Sequence, residues 1–329
     1  MVKSNFFEKN VLITGGLGFV GSNLAINLVD QGAIVTILDS LAMEFGGNLF
    51  NIDSVKDKVS VNISDMRDSQ SLNALVREKD FIFHLAGQVS HSDSMRNPKM
   101  DLEVNCISTV NLLEACRKFN SGARIIYTST RQVYGNPIEL PVTEKHPVMP
   151  IDVNGINKLS GEYYHLLYDK IYNIRSTVLR LTNTYGPRQQ IRNNSQGFVG
   201  IFTRKALKKE VINIFGDGSQ LRDFNYIDDV VNALILSALT DDCYGQVFNL
   251  GSPDHYSLID FVSILHNITG VDYVLVPFPE DKKLIDIGDY YGDYSKFSDI
   301  TGWHPYTNLN KGLELSISFF RAHSQKYIT

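Results

Sequence analysis

The chain has 329 residues, 43% apolar and 20% charged, a globular composition long enough for one large domain or two linked ones. That excludes a small disulfide or metal scaffold and a disordered chain. Its 31 basic residues stand against 36 acidic ones, a formal charge of −5, so no basic nucleic-acid-binding stripe is expected.

Cys106, Cys116 and Cys243 form an odd set without paired spacing, so they read as buried thiols of a reducing compartment and not as a disulfide framework or zinc site. Met1 to Asn10 carries lysines but leads into a short apolar run, Val11 to Ile13, that ends in glycines, so no export signal is expected. No stretch approaches the roughly 18 continuous apolar residues of a membrane helix. The expectation is a soluble, cytoplasmic protein.

In chain order, β-rich runs at Asn10–Thr14, Ala33–Leu38, Val59–Ile63, Asp80–Leu85, Ala123–Ser129 and Ile174–Leu181 alternate with helical patterns. The helices are expected at Phe19–Gln31, stopped by Gly32, and at Ser69–Lys79, Pro98–Asn120 and Asn154–Tyr172. Alternation of this kind buries both faces of a mainly parallel sheet, so residues 1–181 read as a doubly wound α/β domain of the Rossmann type. After Leu181, turns such as Tyr185-Gly186-Pro187-Arg188 and Phe215-Gly216-Asp217-Gly218 break the rhythm. A smaller C-terminal α/β substrate domain is expected over 182–225 and 253–329. The segment 226–252, with the strand-like run Gln246–Leu250, is expected to return to the first sheet.

Between the first strand and first helix lies Thr14-Gly15-Gly16-Leu17-Gly18-Phe19-Val20-Gly21. Gly15 permits the tight turn, Gly18 lets the backbone approach a pyrophosphate, and Gly21 allows close packing of helix on strand. The helix N-terminus adds free amides and a favourable dipole. Asp39 follows the second strand, 18 residues after Gly21, where a carboxylate accepts from both hydroxyls of an adenosine ribose and repels a 2′-phosphate. NAD is therefore expected in preference to NADP. Asp65, after the third strand, is in reach of an adenine edge, or else is a solvated turn residue.

The order of motifs resembles the extended short-chain dehydrogenase/reductases, specifically the NAD-dependent epimerases and dehydratases of nucleotide sugars. The resemblance spans nearly the whole chain: the glycine turn, His84-Leu85-Ala86-Gly87, Asn105, Thr128 to Gly135, Lys158, Arg180 to Arg188, Gly216 to Asp229, and Phe248-Asn249-Leu250-Gly251. It implies a cofactor set of Gly15, Gly18, Phe19, Val20, Gly21, Asp39, Asp65, Met66, Leu85, Ala86, Gly87 and Lys158. In similar enzymes a Ser or Thr, a Tyr and a Lys act together, with Tyr and Lys four residues apart on one helix. The lysine lowers the phenol pKa, so that tyrosinate accepts the sugar hydroxyl proton while hydride leaves for NAD. Thr130 and Lys158 match that group.

Three departures qualify the resemblance. Asn154 stands four residues before Lys158, where the tyrosine is expected, and an amide is no general base near neutral pH. Tyr163, nine residues on, is about 180° away around the helix; it, Tyr164 and Tyr168 read as core or subunit-interface aromatics. Arg131-Gln132 replaces the Asp-Glu pair with which similar 4,6-dehydratases eliminate water. Leu284-Ile285-Asp286-Ile287 stands where an arginine for the pyrophosphate is expected, with Lys282 or Lys283 as substitutes or as plain surface lysines. The missing proton carrier is sought in His91, in the loop after the fourth strand, a residue type suited to acid–base work, or in a water held by Asn154 and Thr130.

On the substrate side the resemblance implies Gln88, Thr130, Arg131, Gln132, Asn183, Arg188, Phe198 and Arg222, with Gln196-Gly197-Phe198-Val199 forming part of the sugar or base pocket. Guanidinium forks and an amide donor suit a nucleotide diphosphate. The expected activity is NAD-dependent oxidation of a ring hydroxyl at C4 of a nucleotide-diphosphate sugar, as an epimerase. A 4-dehydrogenase releasing a keto sugar, a 4,6-dehydratase and a catalytically weakened nucleotide-sugar or NAD binder remain the alternatives. The helices Pro98–Asn120 and Asn154–Tyr172 resemble the pair that joins subunits in this family, so a homodimer is expected.

Overall fold

From Val11 to Thr14 every residue of strand β1 (Asn10–Thr14) is buried, as a strand covered on both faces requires. The computed structural model describes residues 5–42, 45–193 and 197–328. Strands β2 (Ile34–Asp39), β3 (Val59–Ile63), β4 (Phe81–His84), β5 (Arg124–Thr130) and β6 (Ser176–Leu181) lie in one parallel sheet with β1. Later elements are β7 (Asn183–Tyr185), β8 (Ile212–Phe215), β9 (Leu221–Tyr226), β10 (Gln246–Asn249), β11 (His255–Ser257) and β12 (Tyr273–Val276). The order across the seven-stranded sheet is β10-β6-β5-β4-β1-β2-β3, and β10 lies parallel to β6 with Phe248 opposite Leu179. The order reverses between β1 and β4, which opens a crevice at their C-terminal ends.

Helices α1 (Phe19–Asp30), α2 (Ser69–Leu75), α3 (His91–Arg96), α4 (Pro98–Leu102), α5 (Ser108–Phe119) and α6 (Val153–Tyr172) fill the connections. Two expected helices come out differently. Pro98–Asn120 is interrupted by a π turn at Glu103–Ile107, where the hydroxyls of Ser108 and Thr109 take the carbonyls of Val104 and Asn105 one turn back. The helix expected to reach Lys79 ends at Leu75, since Asn120 Nδ2 donates to the carbonyls of Val76 and Lys79 at 2.7 and 2.9 Å.

Beyond β6, α7 (Phe198–Lys208), α8 (Ile227–Leu239) and α9 (Leu258–Thr269) pack around two small sheets, β11-β9-β7 and β12-β8. Helix α8 lies against α1, and Asp229 on it accepts from the amides of Tyr306 and Thr307 at 3.0 and 3.1 Å, fastening the C-terminal segment to the first domain's flank. A single apolar cluster runs from Val11 and Leu24 through Phe224 and Phe261 to Trp303 and Leu313. The three cysteines are buried and unpaired. Among the described residues no helix is long and apolar enough to cross a membrane, and no three His, Cys, Asp or Glu side chains group to hold a metal.

Candidate active site

A cleft of 570 Å³ opens where the strand order reverses. Its first wall is the turn after β1. Gly15 has φ +71°, and a Cβ there would meet the Ala86 Cα at 2.8 Å, so the turn lies flat against the chain leaving β4. A Cβ on Gly21 would stand 2.3 Å from the Gly15 carbonyl, the close packing expected of that position. No side chain caps α1, so its first-turn amides and positive dipole end face the cleft unclaimed, as a pyrophosphate requires.

Asp39 borders the same cleft. Its oxygens accept from the amides of Leu17 and Leu41 at 2.9 and 2.8 Å, while burial pushes its carboxyl above the usual range. Each oxygen keeps a lone pair for a ribose hydroxyl. Asp65 is paired with Arg67 at 2.7 Å, which holds its carboxyl below the ordinary range, so it reaches the cleft as half of an ion pair and not as a bare turn residue. Gly18, Phe19, Val20, Met66, Leu85, Ala86 and Gly87 complete the lining.

At the other end Lys158 is buried on α6, its Nζ donating to the Thr128 carbonyl at 3.1 Å. Burial pulls its pKa down to about 8, against the attraction of Asp101 and Glu162. Thr130, Asn154 and His91 border the cleft beside it. Asn154 is fixed: its Nδ2 donates to the Gln88 carbonyl at 2.8 Å and to Asp101 Oδ2 at 3.2 Å. His91 Nδ1 stands 2.9 Å from Oδ2 of Asp152, the buried cap of α6, a close contact that is not aligned as a hydrogen bond and becomes an ion pair when the imidazole is protonated. Burial opposes the charge on Asp152, but His91, the Gly155 amide and Gln132 together hold the carboxyl below its ordinary range.

The substrate set divides. Asn183 and Phe198 border the cleft; Gln196 lies outside the described residues. The side chain of Gln88 is folded onto Ser90, accepting its amide at 2.6 Å and donating to its carbonyl at 2.9 Å, and does not line the cleft. Gln132 is likewise buried, on Asp152 at 3.2 Å. Arg188 is engaged elsewhere, with Asn51 O at 3.0 Å and Asn23 Oδ1 at 2.9 Å. Arg222 pairs with Asp286 at 3.2 Å behind the wall formed by Thr182 and Asn183. Arg131 is not among the lining residues; it lies over the Tyr290 ring at 5.5 Å, and its buried Nε has no hydrogen-bond partner among the described residues. Lys283 is exposed.

Some lining residues were not anticipated. The glycine pair Gly46-Gly47 after β2 was a visible signal, and a Cβ on Gly47 would come within 3.2 Å of Asp39 Oδ1. Met100 and Val104 carried none, because the π turn decides what that helix presents.

Residues 12–315 match the family described as GDP-mannose 4,6 dehydratase. The chain belongs to this NAD-dependent family of nucleotide-sugar epimerases and dehydratases. A UDP-glucose 4-epimerase from Mycolicibacterium smegmatis is 33% identical over 317 residues, 95% of this chain and 99% of that one. The UDP-glucose 4-epimerase of Thermotoga maritima, solved with UDP-glucose, is 33% identical with a TM-score of 0.88, covering 96% of this chain and 99% of that one. The Thermus thermophilus UDP-glucose 4-epimerase, solved with NAD, is 27% identical with a TM-score of 0.84, covering 95% of this chain and 99% of that one. The free first-turn amides of α1 and the buried Asp39 fit that cofactor.

Proposed function

We propose that the protein oxidises a ring hydroxyl, at C4, of a nucleotide-diphosphate sugar with bound NAD and works as an epimerase, returning the hydride to the opposite face. The observation that carries this is one cleft running from the glycine turn and Asp39 to Thr130 and Lys158. The dinucleotide, when bound, accepts and returns the hydride. Gly15, Gly18, Gly21 and the α1 amides hold its pyrophosphate, Asp39 its adenosine ribose, and Lys158 its nicotinamide ribose. Thr130 donates to the reacting oxygen, and the Lys158 ammonium favours the negative charge that develops there.

Asn183 and Phe198 border the sugar nucleotide. We assign its diphosphate to Arg222 and to Arg131, whose Nε is buried without a hydrogen-bond partner among the described residues; burial and then the nearby Arg131 charge lower the Arg222 pKa. Arg131-Gln132 offers no carboxylate for eliminating water, which argues against a dehydratase. A homodimer joined through α6 and its neighbour helices is part of the same reading, supported by an exposed apolar stripe on α6.

The test is incubation of the NAD-loaded protein with UDP-glucose, UDP-N-acetylglucosamine, UDP-glucuronic acid, dTDP-glucose, CDP-glucose and GDP-mannose, following NADH and the sugar products. Transient NADH with a C4 epimer is expected. A keto sugar accumulating with NADH makes the enzyme a dehydrogenase, and NAD left oxidised by every sugar makes it a binding protein.

A further inference from the structure

We propose that His91 and Asp152 form the proton relay of this cleft, with His91 as the catalytic residue that takes the sugar hydroxyl proton and Asp152 as its positioning residue. The inference rests on the proposed reading of the cleft as a sugar-oxidising site.

Of the titratable side chains bordering the cleft, Asp39, Asp65 and Arg67 lie at the C-terminal ends of β2 and β3, away from Thr130. Lys158 donates to the Thr128 carbonyl. Asp101 is buried, and both its oxygens are taken by the amides of Asn154 and Asn157. The other nearby imidazoles, His84 and His165, are buried against each other behind Lys158, and burial keeps both neutral. Among the described residues that leaves His91 as the base beside Asn154.

The scaffold holds it there. His91 opens α3, and Ser94, one turn on, donates to the His91 carbonyl at 2.7 Å and accepts from the Asn154 amide at 3.2 Å. Asp152 caps α6, its Oδ1 accepting from Gly155 N at 2.6 Å and its Oδ2 from Gln132 Nε2 at 3.2 Å while facing His91 Nδ1. A carboxylate at Nδ1 fixes the proton on that nitrogen and leaves Nε2 bare as the acceptor. In the forward step the ring C–H gives its hydride to NAD and the hydroxyl gives its proton to Nε2. The C–O bond becomes C=O, and the imidazolium formed is balanced by Asp152. Return of both reverses the bookkeeping of charge.

Two readouts test the relay. In the resting protein, ¹⁵N NMR should find His91 protonated on Nδ1 alone, and Asp152→Asn should abolish that preference; an Nε2-protonated His91 overturns the proposal without any substrate. With whichever sugar of the panel reduces NAD, His91→Ala should slow single-turnover NADH formation about a hundredfold or more, and added imidazole should restore part of it. Asp152→Asn, which keeps a capping side chain, should slow it at least about tenfold with KM unchanged. Hydride transfer within twofold of wild type in His91→Ala, or a loss confined to KM and indifferent to imidazole, overturns the proposal and leaves Lys158 as the base. If no sugar reduces NAD, the proposed function fails, and the His91 tautomer alone decides whether the dyad exists.

Discussion

Asn154 joins α6 to Asp101 of α4: its Nδ2 lies 3.2 Å from Asp101 Oδ2 and 2.8 Å from the Gln88 carbonyl. The amide that replaces a phenol is thus a clamp with two acceptors. A tyrosine hydroxyl offers one donor, at the end of a larger side chain, and cannot serve both. Asn154→Tyr should therefore lower single-turnover NADH formation at least tenfold by crowding His91, and should cost on the order of 1 to 3 kcal/mol of stability for the Asp101 oxygen left unpaired, the Gln88 carbonyl keeping Asn105 Nδ2 as a donor. A rise in turnover would mean that the site lacks a base and accepts a phenol in its usual place.

Asp39 holds two backbone amides as well as facing the ribose. Asp39→Ala should weaken NAD binding by on the order of 1 to 3 kcal/mol, read by titration calorimetry. The amides of Leu17 and Leu41 also lose their acceptor, so the free protein should melt at a lower temperature. NADP binding as tightly as NAD to the wild type would contradict the role given to this carboxylate.

The sheet was legible because β1, β4, β5 and β6 are buried runs bounded by turns, and the glycine turn because its backbone geometry demands those residues. The cleft-lining glycines and Asp39 followed from both. Substrate residues were less legible because a side chain's direction depends on tertiary partners: Gln88 turns back onto Ser90, and Arg188 is captured by Asn23 and Asn51. Asp152 had no signal of its own beyond a helix cap; its contact with His91 exists only because α3 sets the imidazole against it. The small strand pairs β7 with β9 and β8 with β12 are three to six residues each, too short to show a period among the turns.

Ile156, Tyr163, Leu167 and Ile171 are each at least half exposed, and their spacing lines them along one side of α6. Leu102 and Ile107, on the preceding helical segments, are exposed as well. An exposed apolar stripe of this kind is the surface that a second copy of the chain would cover. Sedimentation equilibrium at micromolar concentration should give twice the 37.0 kDa chain mass, and Leu167→Asp should return the protein to 37.0 kDa with its melting temperature little changed. A wild-type monomer would reject the dimer.

Lys158 should leave its mark on stability as a function of pH. Burial lowers its pKa from 10.5 to about 8, so between those values the unfolded chain binds a proton that the folded protein has released. Stability therefore rises with pH across that window, and below it the folded state bears the cost of a buried charge, on the order of 3 kcal/mol. Lys158→Met removes that charge along with one hydrogen bond, to the Thr128 carbonyl. Denaturant unfolding without NAD should find the variant at least as stable as wild type at pH 7, with the difference shrinking in the variant's disfavour as pH rises from 8 to 10.5. Hydride transfer should be lost in the variant at every pH and should fall in the wild type as pH rises through about 8, when the ammonium beside the nicotinamide ribose loses its proton. A pH-independent stability difference would mean that the lysine keeps its solvated pKa in the folded protein, and the field assigned to it at the reacting oxygen would go with it.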